Sequence, residues 1–112
     1  MKKLLALSAC TLLAAPVLAD VHVGVIASLT GPAAALGAET KKAVALLPTT
    51  VGKEKVQYIV LDDGSDPTNA VKNARKLITE HKVDAILGPN LIGTAMAIAD
   101  VANSEKTPMV SV

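Results

Sequence analysis

Three times in this chain a short run of β-branched and aliphatic residues ends in a turn and gives way to a helical pattern, and a fourth run follows. That alternation narrows the available folds more than any other feature. The first run, Val21 to Ala27 (VHVGVIA), is nearly continuous in apolar character. Such a run fits a strand buried on both faces, as in a parallel sheet. Val56 to Leu61 (VQYIVL), Val83 to Leu87 and Met109 to Val112 read as the next three strands. Between them the spacing predicts helices. The first runs from about Ala33 to Leu47, with Leu36, Thr40, Ala43, Val44 and Leu47 on one face, and Pro48 ends it. The second spans Thr68 to His81, with Val71, Ala74, Leu77 and Ile78 on its stripe; Asp66 suits its N-cap and Pro67 its first position. The third runs from Gly93 or Thr94 to Ser104, with Ala95, Ile98, Ala99 and Ala102 buried. The segment Pro48 to Lys55 reads as an exposed loop. The order implies the α/β class: a parallel sheet with flanking helices and right-handed crossovers.

One junction invites a functional reading. Leu87 to Ala99, LGPNLIGTAMAIA, is a strand end, a Gly-Pro turn and a helix start. The first N–H groups of a helix lack internal partners, and the helix dipole favours an anion beside them. In open α/β sheets the carboxyl ends of the strands are also where ligands bind. A plain strand-to-helix loop is the competing reading.

The start of the chain looks like a targeting segment. Lys2 and Lys3 form a positive n-region, Leu4 to Leu13 is mostly apolar, and Val17-Leu18-Ala19 suits signal peptidase. Residues 1–19 are therefore expected to be a signal peptide cleaved between Ala19 and Asp20, giving periplasmic export. The apolar run is shorter than the ~20 residues of a spanning helix, so no membrane insertion is expected after cleavage. Leu7-Ser8-Ala9-Cys10 resembles a lipoprotein box, but the apolar stretch before Cys10 is short and continues past it to Ala19. Removal of this segment leaves no cysteine, hence no disulfide framework.

Composition excludes several functions. Aromatic content is 1%, Tyr58 alone, and the formal charge is +1. Stacking platforms and basic patches for nucleic acid are missing. The chain has no GxGxxG, Walker loop, HExxH, CxxC or GxSxG, so neither a cofactor nor an enzyme activity is expected. Asp62, Asp63 and Asp66 are similar to a calcium loop or a phosphoacceptor site, but the calcium pattern is incomplete and a turn with a helix cap accounts for all three. The hydroxyls of Ser28 and Thr30 are expected to bond loose backbone donors. His22 and Met96 read as structural.

The runs VGVIASLTGPAAALGAETKKAVAL, VLDDGSDPTNAVKNARKLI and ILGPNLIGTAMAIADVANSEKTPMVSV together resemble the periplasmic solute-binding proteins of branched-chain amino acid (Leu/Ile/Val-type) ABC transporters. The markers are the turn at Ser28 to Pro32, the turn at Asp62 to Pro67 and the unit Leu87 to Ala99. The resemblance implies a type I periplasmic binding protein, with residues 20–112 as the N-terminal part of a Rossmann-like first lobe, incomplete and without the second lobe. It implies a small amino acid or carboxylate ligand and delivery to ABC permease subunits. Carried over to this chain, the ligand contacts would be Leu36, Asn90, Leu91, Ile92, Gly93 and Thr94. The family often has a serine at the place of Ile92, whose hydroxyl holds the ligand carboxylate. Isoleucine makes no such bond, which leaves the N–H groups of Ile92 to Thr94, or the Thr94 hydroxyl, to hold an anion. Aromatic and aliphatic carboxylates therefore compete with branched-chain amino acids as the ligand. A sensory domain of the same fold is the other functional alternative.

Overall fold

The computed structural model describes residues 19–112. The proposed targeting segment and Cys10 lie outside these residues, as does the predicted signal-peptidase motif except for Ala19. The described chain forms β1 (Val21–Ala27), α1 (Ala34–Val44), β2 (Thr50–Val51), β3 (Glu54–Asp62), α2 (Pro67–Thr79), β4 (Ala85–Leu87), α3 (Ile92–Ser104) and β5 (Met109–Val110). One sheet holds all the strands in the order β2-β3-β1-β4-β5. The α/β class and the parallel core are as expected: β1 pairs in parallel with β3 and β4, and β4 with β5.

The sheet is mixed, however, and the segment from Pro48 to Lys55 is not a plain loop. Thr50 and Val51 turn about Gly52, at φ 61°, and pair antiparallel with Glu54 and Lys55. A left-handed residue at a tight turn is where glycine is favoured. A two-residue strand is too short to show a period, which explains why the pattern did not announce it.

The chain winds outward from β1 in both directions. α1 carries it to β3 on one side; α2 returns it past β1 to β4, and α3 takes it on to β5. Right-handed crossovers running in opposite directions place α1 on one face and α2 with α3 on the other. The main core follows from this. Ile26 and Ile86 from the sheet meet Ala70, Ala74 and Leu77 of α2 and Ile98 and Val101 of α3. The α2 stripe is close to expectation. The α3 stripe is rotated: Thr94, Ile98, Val101 and Ala102 are buried, and Ala99 is exposed. Here the β-branched Thr94 and Val101 take core positions that the alanine-rich pattern had assigned to smaller neighbours.

α1 departs most from its predicted packing. Of its expected stripe only Val44 is buried, while Leu36 and Leu47 are exposed. It comes closest to the chain just past β1 at Gly37, where an added Cβ would run into the carbonyl of Ser28 and the backbone of Leu29. Thr40, Ala43, Val44 and Leu47 border an open apolar groove of about 440 Å³ shared with Leu87 and Val112.

Gly37→Ala tests this close approach. Alanine ordinarily gains ~1 kcal/mol over glycine inside a helix. Here a backbone clash should reverse the sign and destabilise by about 2 kcal/mol, read as a lowered urea midpoint. A raised midpoint would show that α1 does not sit on the end of β1 in this way.

Candidate functional site

Three strand ends meet at the carboxyl edge of the sheet. Ala27 at the end of β1 pairs with Asp62 at the end of β3, and Val25 pairs with Leu87 at the end of β4. β1 and β4 are thus neighbours whose chains leave in opposite directions. Such a topological switch point opens a crevice, and ligands of open α/β sheets bind there.

The loops around the crevice are tied by carboxylates. Asp62 Oδ1 accepts the N–H groups of Leu29 (2.8 Å), Thr30 (3.1 Å) and Gly64 (2.8 Å), and its Oδ2 accepts the Thr30 hydroxyl at 2.6 Å. Burial pushes the Asp62 carboxyl up; the Thr30 hydroxyl and the three N–H groups outweigh it and hold the pKa below the ordinary value. Asp63 is fully buried, and its Oδ1 accepts the Ser28 hydroxyl at 2.7 Å and the Ser65 N–H at 2.8 Å. The hydroxyls of Ser28 and Thr30 therefore donate to aspartates and do not collect loose backbone donors, contrary to the sequence expectation. A carboxylate has more acceptor sites than a hydroxyl, so it wins the backbone donors. Asp66 caps α2 as expected, accepting the Asn69 N–H at 2.8 Å.

The three helix starts at this edge differ. At α1, the Ala33 N–H goes to the Ser65 hydroxyl and the Ala34 N–H to Gly31 O. At α2, Asp66 supplies a side-chain cap. At α3, the N-cap residue is Leu91, which has no polar side chain to offer. Among the described residues the N–H groups of Ile92, Gly93 and Thr94 meet no acceptor, and the first bond of the helix is from the Ala95 N–H to Leu91 O at 2.9 Å. Thr94 is fully buried, so the donors left open at the crevice are those of Ile92 and Gly93, beside the positive end of a helix.

The expected contact residues fall into two groups. Leu36, Ile92 and Gly93 are exposed, with Leu36 at 55% and Ile92 at 81%, and both apolar side chains belong to first helical turns at this edge. Leu91 is half-buried. Thr94 is fully buried and its hydroxyl donates back to Leu91 O at 2.9 Å. Buried in this way, Thr94 stands behind the edge and presents neither its hydroxyl nor its N–H to it. Asn90 is turned inward, its Oδ1 accepting the Ser28 N–H at 3.1 Å. Ser28, Asp62 and Asp63 build the edge yet were read only as turn residues. The signal that would have found them is positional: hydroxyls just past β1 lie opposite acids just past β3 once the strands pair in register.

Among the described residues no group of three or more His, Cys, Asp or Glu is placed to hold a metal. Nor is any of the described helices long and apolar enough to cross a membrane.

An open, mostly parallel sheet with flanking helices and a crevice at its switch point is the architecture of a ligand-binding α/β lobe. A model of the periplasmic binding protein family matches residues 20–112, and the chain belongs to that family. The Leu/Ile/Val-binding protein BraC3 of Rhizobium johnstonii is 31% identical over 99 residues, covering 83% of this chain and 27% of that protein. An extracellular ligand-binding receptor from Rhodopseudomonas palustris HaA2 is 46% identical with a TM-score of 0.80, over 83% of this chain and 26% of its own. A solute-binding protein of an ABC transporter from Rhodopseudomonas palustris BisB5, solved with 3,4-dihydroxybenzoic acid, is 31% identical with a TM-score of 0.79, over 82% of this chain and 26% of its own. These relatives are solute-binding proteins, not enzymes, and the chain spans about a quarter of their length.

Asp62→Ala strips three N–H groups of their acceptor and should cost about 1 kcal/mol, the low end for such a loss at an exposed site. A depressed folded pKa contributes stability that is full above the unfolded value and is lost as pH falls through the folded one. The wild type should therefore lose stability more steeply than Asp62→Ala below about pH 4 in denaturation series. Parallel acid profiles would remove Asp62 from this role.

Proposed function

We propose that this chain is the lobe-one portion of the substrate-binding component of an ABC importer, taking a branched-chain amino acid or a related small carboxylate. The observation that carries this reading is the pair of unpartnered N–H donors on the exposed residues Ile92 and Gly93, at the switch point between β1 and β4. Leu36 and Ile92 supply apolar surface beside them, so the half-site suits an anionic head on an apolar body. Family membership supports the same class. Residues 1–19 then serve as the export signal, with cleavage between Ala19 and Asp20 and release to the periplasm. Permease subunits of the importer are the partners in this reading.

An aromatic carboxylate is the second ligand reading. It is favoured by Ile92, which puts an aliphatic side chain where a hydroxyl would serve an amino acid, and by the dihydroxybenzoate bound in a relative.

Ile92→Pro isolates the donors. Leu91 is already extended, at φ −119° and ψ 136°, as a residue before proline prefers. Ile92 is the first helical residue, where proline is tolerated because its missing N–H has no helical partner. The variant should keep its unfolding midpoint within about 0.5 kcal/mol of the wild type. In amide NMR titrations with benzoate and with isoleucine, the wild type should respond at residues 92–94, and the variant about ten-fold more weakly, as befits a lost bond to a charged group. With only one wall of the cleft, the 112-residue chain should bind in the millimolar range. Undiminished binding by Ile92→Pro would move the anion elsewhere, and micromolar affinity would contradict the half-site.

A further inference from the structure

Asn90 came from the sequence as a ligand contact, yet its side chain faces the protein. Among the described residues its Oδ1 makes the one side-chain hydrogen bond between the β4–α3 loop and the β1–α1 loop, at the Ser28 N–H. Ser28 is fully buried, and its hydroxyl continues the chain of bonds to Asp63 and so to Ser65 before α2. Asn90 thus spans the switch-point crevice at its floor, two residues before the free donors of α3. The loop's other bonds run to the far side: the Gly88 N–H goes to Val110 O at 2.7 Å, and Pro89 O accepts the Ser111 hydroxyl at 2.9 Å.

Two polar side-chain atoms are buried without a partner among the described residues, Asn90 Nδ2 and Asp63 Oδ2. Both belong to residues bonded to Ser28. Packing alone does not favour unpaired polar atoms, and their concentration at one node is a cost that functional sites retain. The chemistry at position 90 is also specific. The Ser28 N–H needs an acceptor, and a second carboxylate on the same serine as Asp63 would set two like charges around one buried residue. A neutral carboxamide meets both demands.

We propose that Asn90 is a positioning residue, which sets the distance between the end of β1 and the first turn of α3 and so aims the N–H groups of Ile92 and Gly93 into the crevice. This rests on the crevice being the anion site.

The test uses Asn90→Ala beside a control, Val101→Ala, which opens a cavity in the α2–α3 core and leaves the crevice residues in place. Benzoate is titrated into each protein while the amides of residues 92–94, the exchange rate of the Ser28 N–H and the urea midpoint are followed. Asn90→Ala should speed Ser28 exchange and weaken benzoate about ten-fold. Val101→Ala should lower the midpoint and keep the wild-type affinity. Asn90→Ser, too short to reach Ser28, replaces Asn90→Ala should that variant not fold, with the same expectation. Equal benzoate affinity in the position-90 variant and the control would overturn the inference while leaving the crevice in place. Silence of the wild-type amides 92–94 to both benzoate and isoleucine would overturn the crevice, and this inference with it.

Discussion

The carboxylates of Asp62 and Asp63 hold together the end of the sheet on which everything else here depends. Strand pairing brings Ala27 level with Asp62, so the loop leaving β1 and the loop leaving β3 start side by side. Each loop turns sharply and leaves N–H groups that no ladder can satisfy. Two adjacent acids collect them: Asp62 takes Leu29, Thr30 and Gly64, and Asp63 takes Ser65. Each also receives a hydroxyl from the β1 loop. An aspartate side chain is short and its acceptor sites are many, so one residue can order a whole turn. With the acids in place, α1 can settle its Gly37 directly on the backbone after β1.

Against that background the bare start of α3 is informative. The same edge caps α2 with Asp66, so the chain has the means to cap a helix; it ties the N–H of Ala33 before α1 to the Ser65 hydroxyl and leaves α3 with neither device. A polar cap at Leu91 would ordinarily stabilise a helix by about 1 kcal/mol. Forgoing it keeps the Ile92 and Gly93 donors available at the place where the winding of the sheet reverses. Stability given up at one helix start, beside another where it was not given up, is the pattern expected of function.

Much of this was legible in the sequence, and the failures have physical causes. The strands of the parallel core showed themselves as apolar runs; Gly24–Ala27 of β1 is buried outright, while Tyr58–Leu61 of β3 is only half-buried. Asp66-Pro67 marked the start of α2 because cap and proline act locally. The stripe of α1 misled because periodicity reports which residues could be buried; it does not say what covers them. Leu36 and Leu47 have the right spacing and remain exposed. β2 was missed for its length. The candidate site divided along the same line. Free N–H groups at residues 92–94 follow from a local rule about helix starts. The inward turn of Asn90 depends on Ser28, 62 residues away, and the pairing of Ser28 with Asp63 spans 35 residues. No local pattern encodes those meetings; only the sheet register does.

Under the proposed function, backbone donors would let the ligand class shift without loss of the anchor. An N–H group is present whatever the side chain, proline excepted, so an isoleucine at position 92 in place of a serine lacks one hydroxyl and leaves the donors at the helix start and the helix dipole in place. In the proposed site the carboxylate end of a ligand would be read by the main chain. Selectivity would then fall to exposed side chains such as Ile92 and Leu36, both aliphatic. Such a division would place the demand for precision on the geometry between β1 and α3, since donors that cannot move must be aimed together.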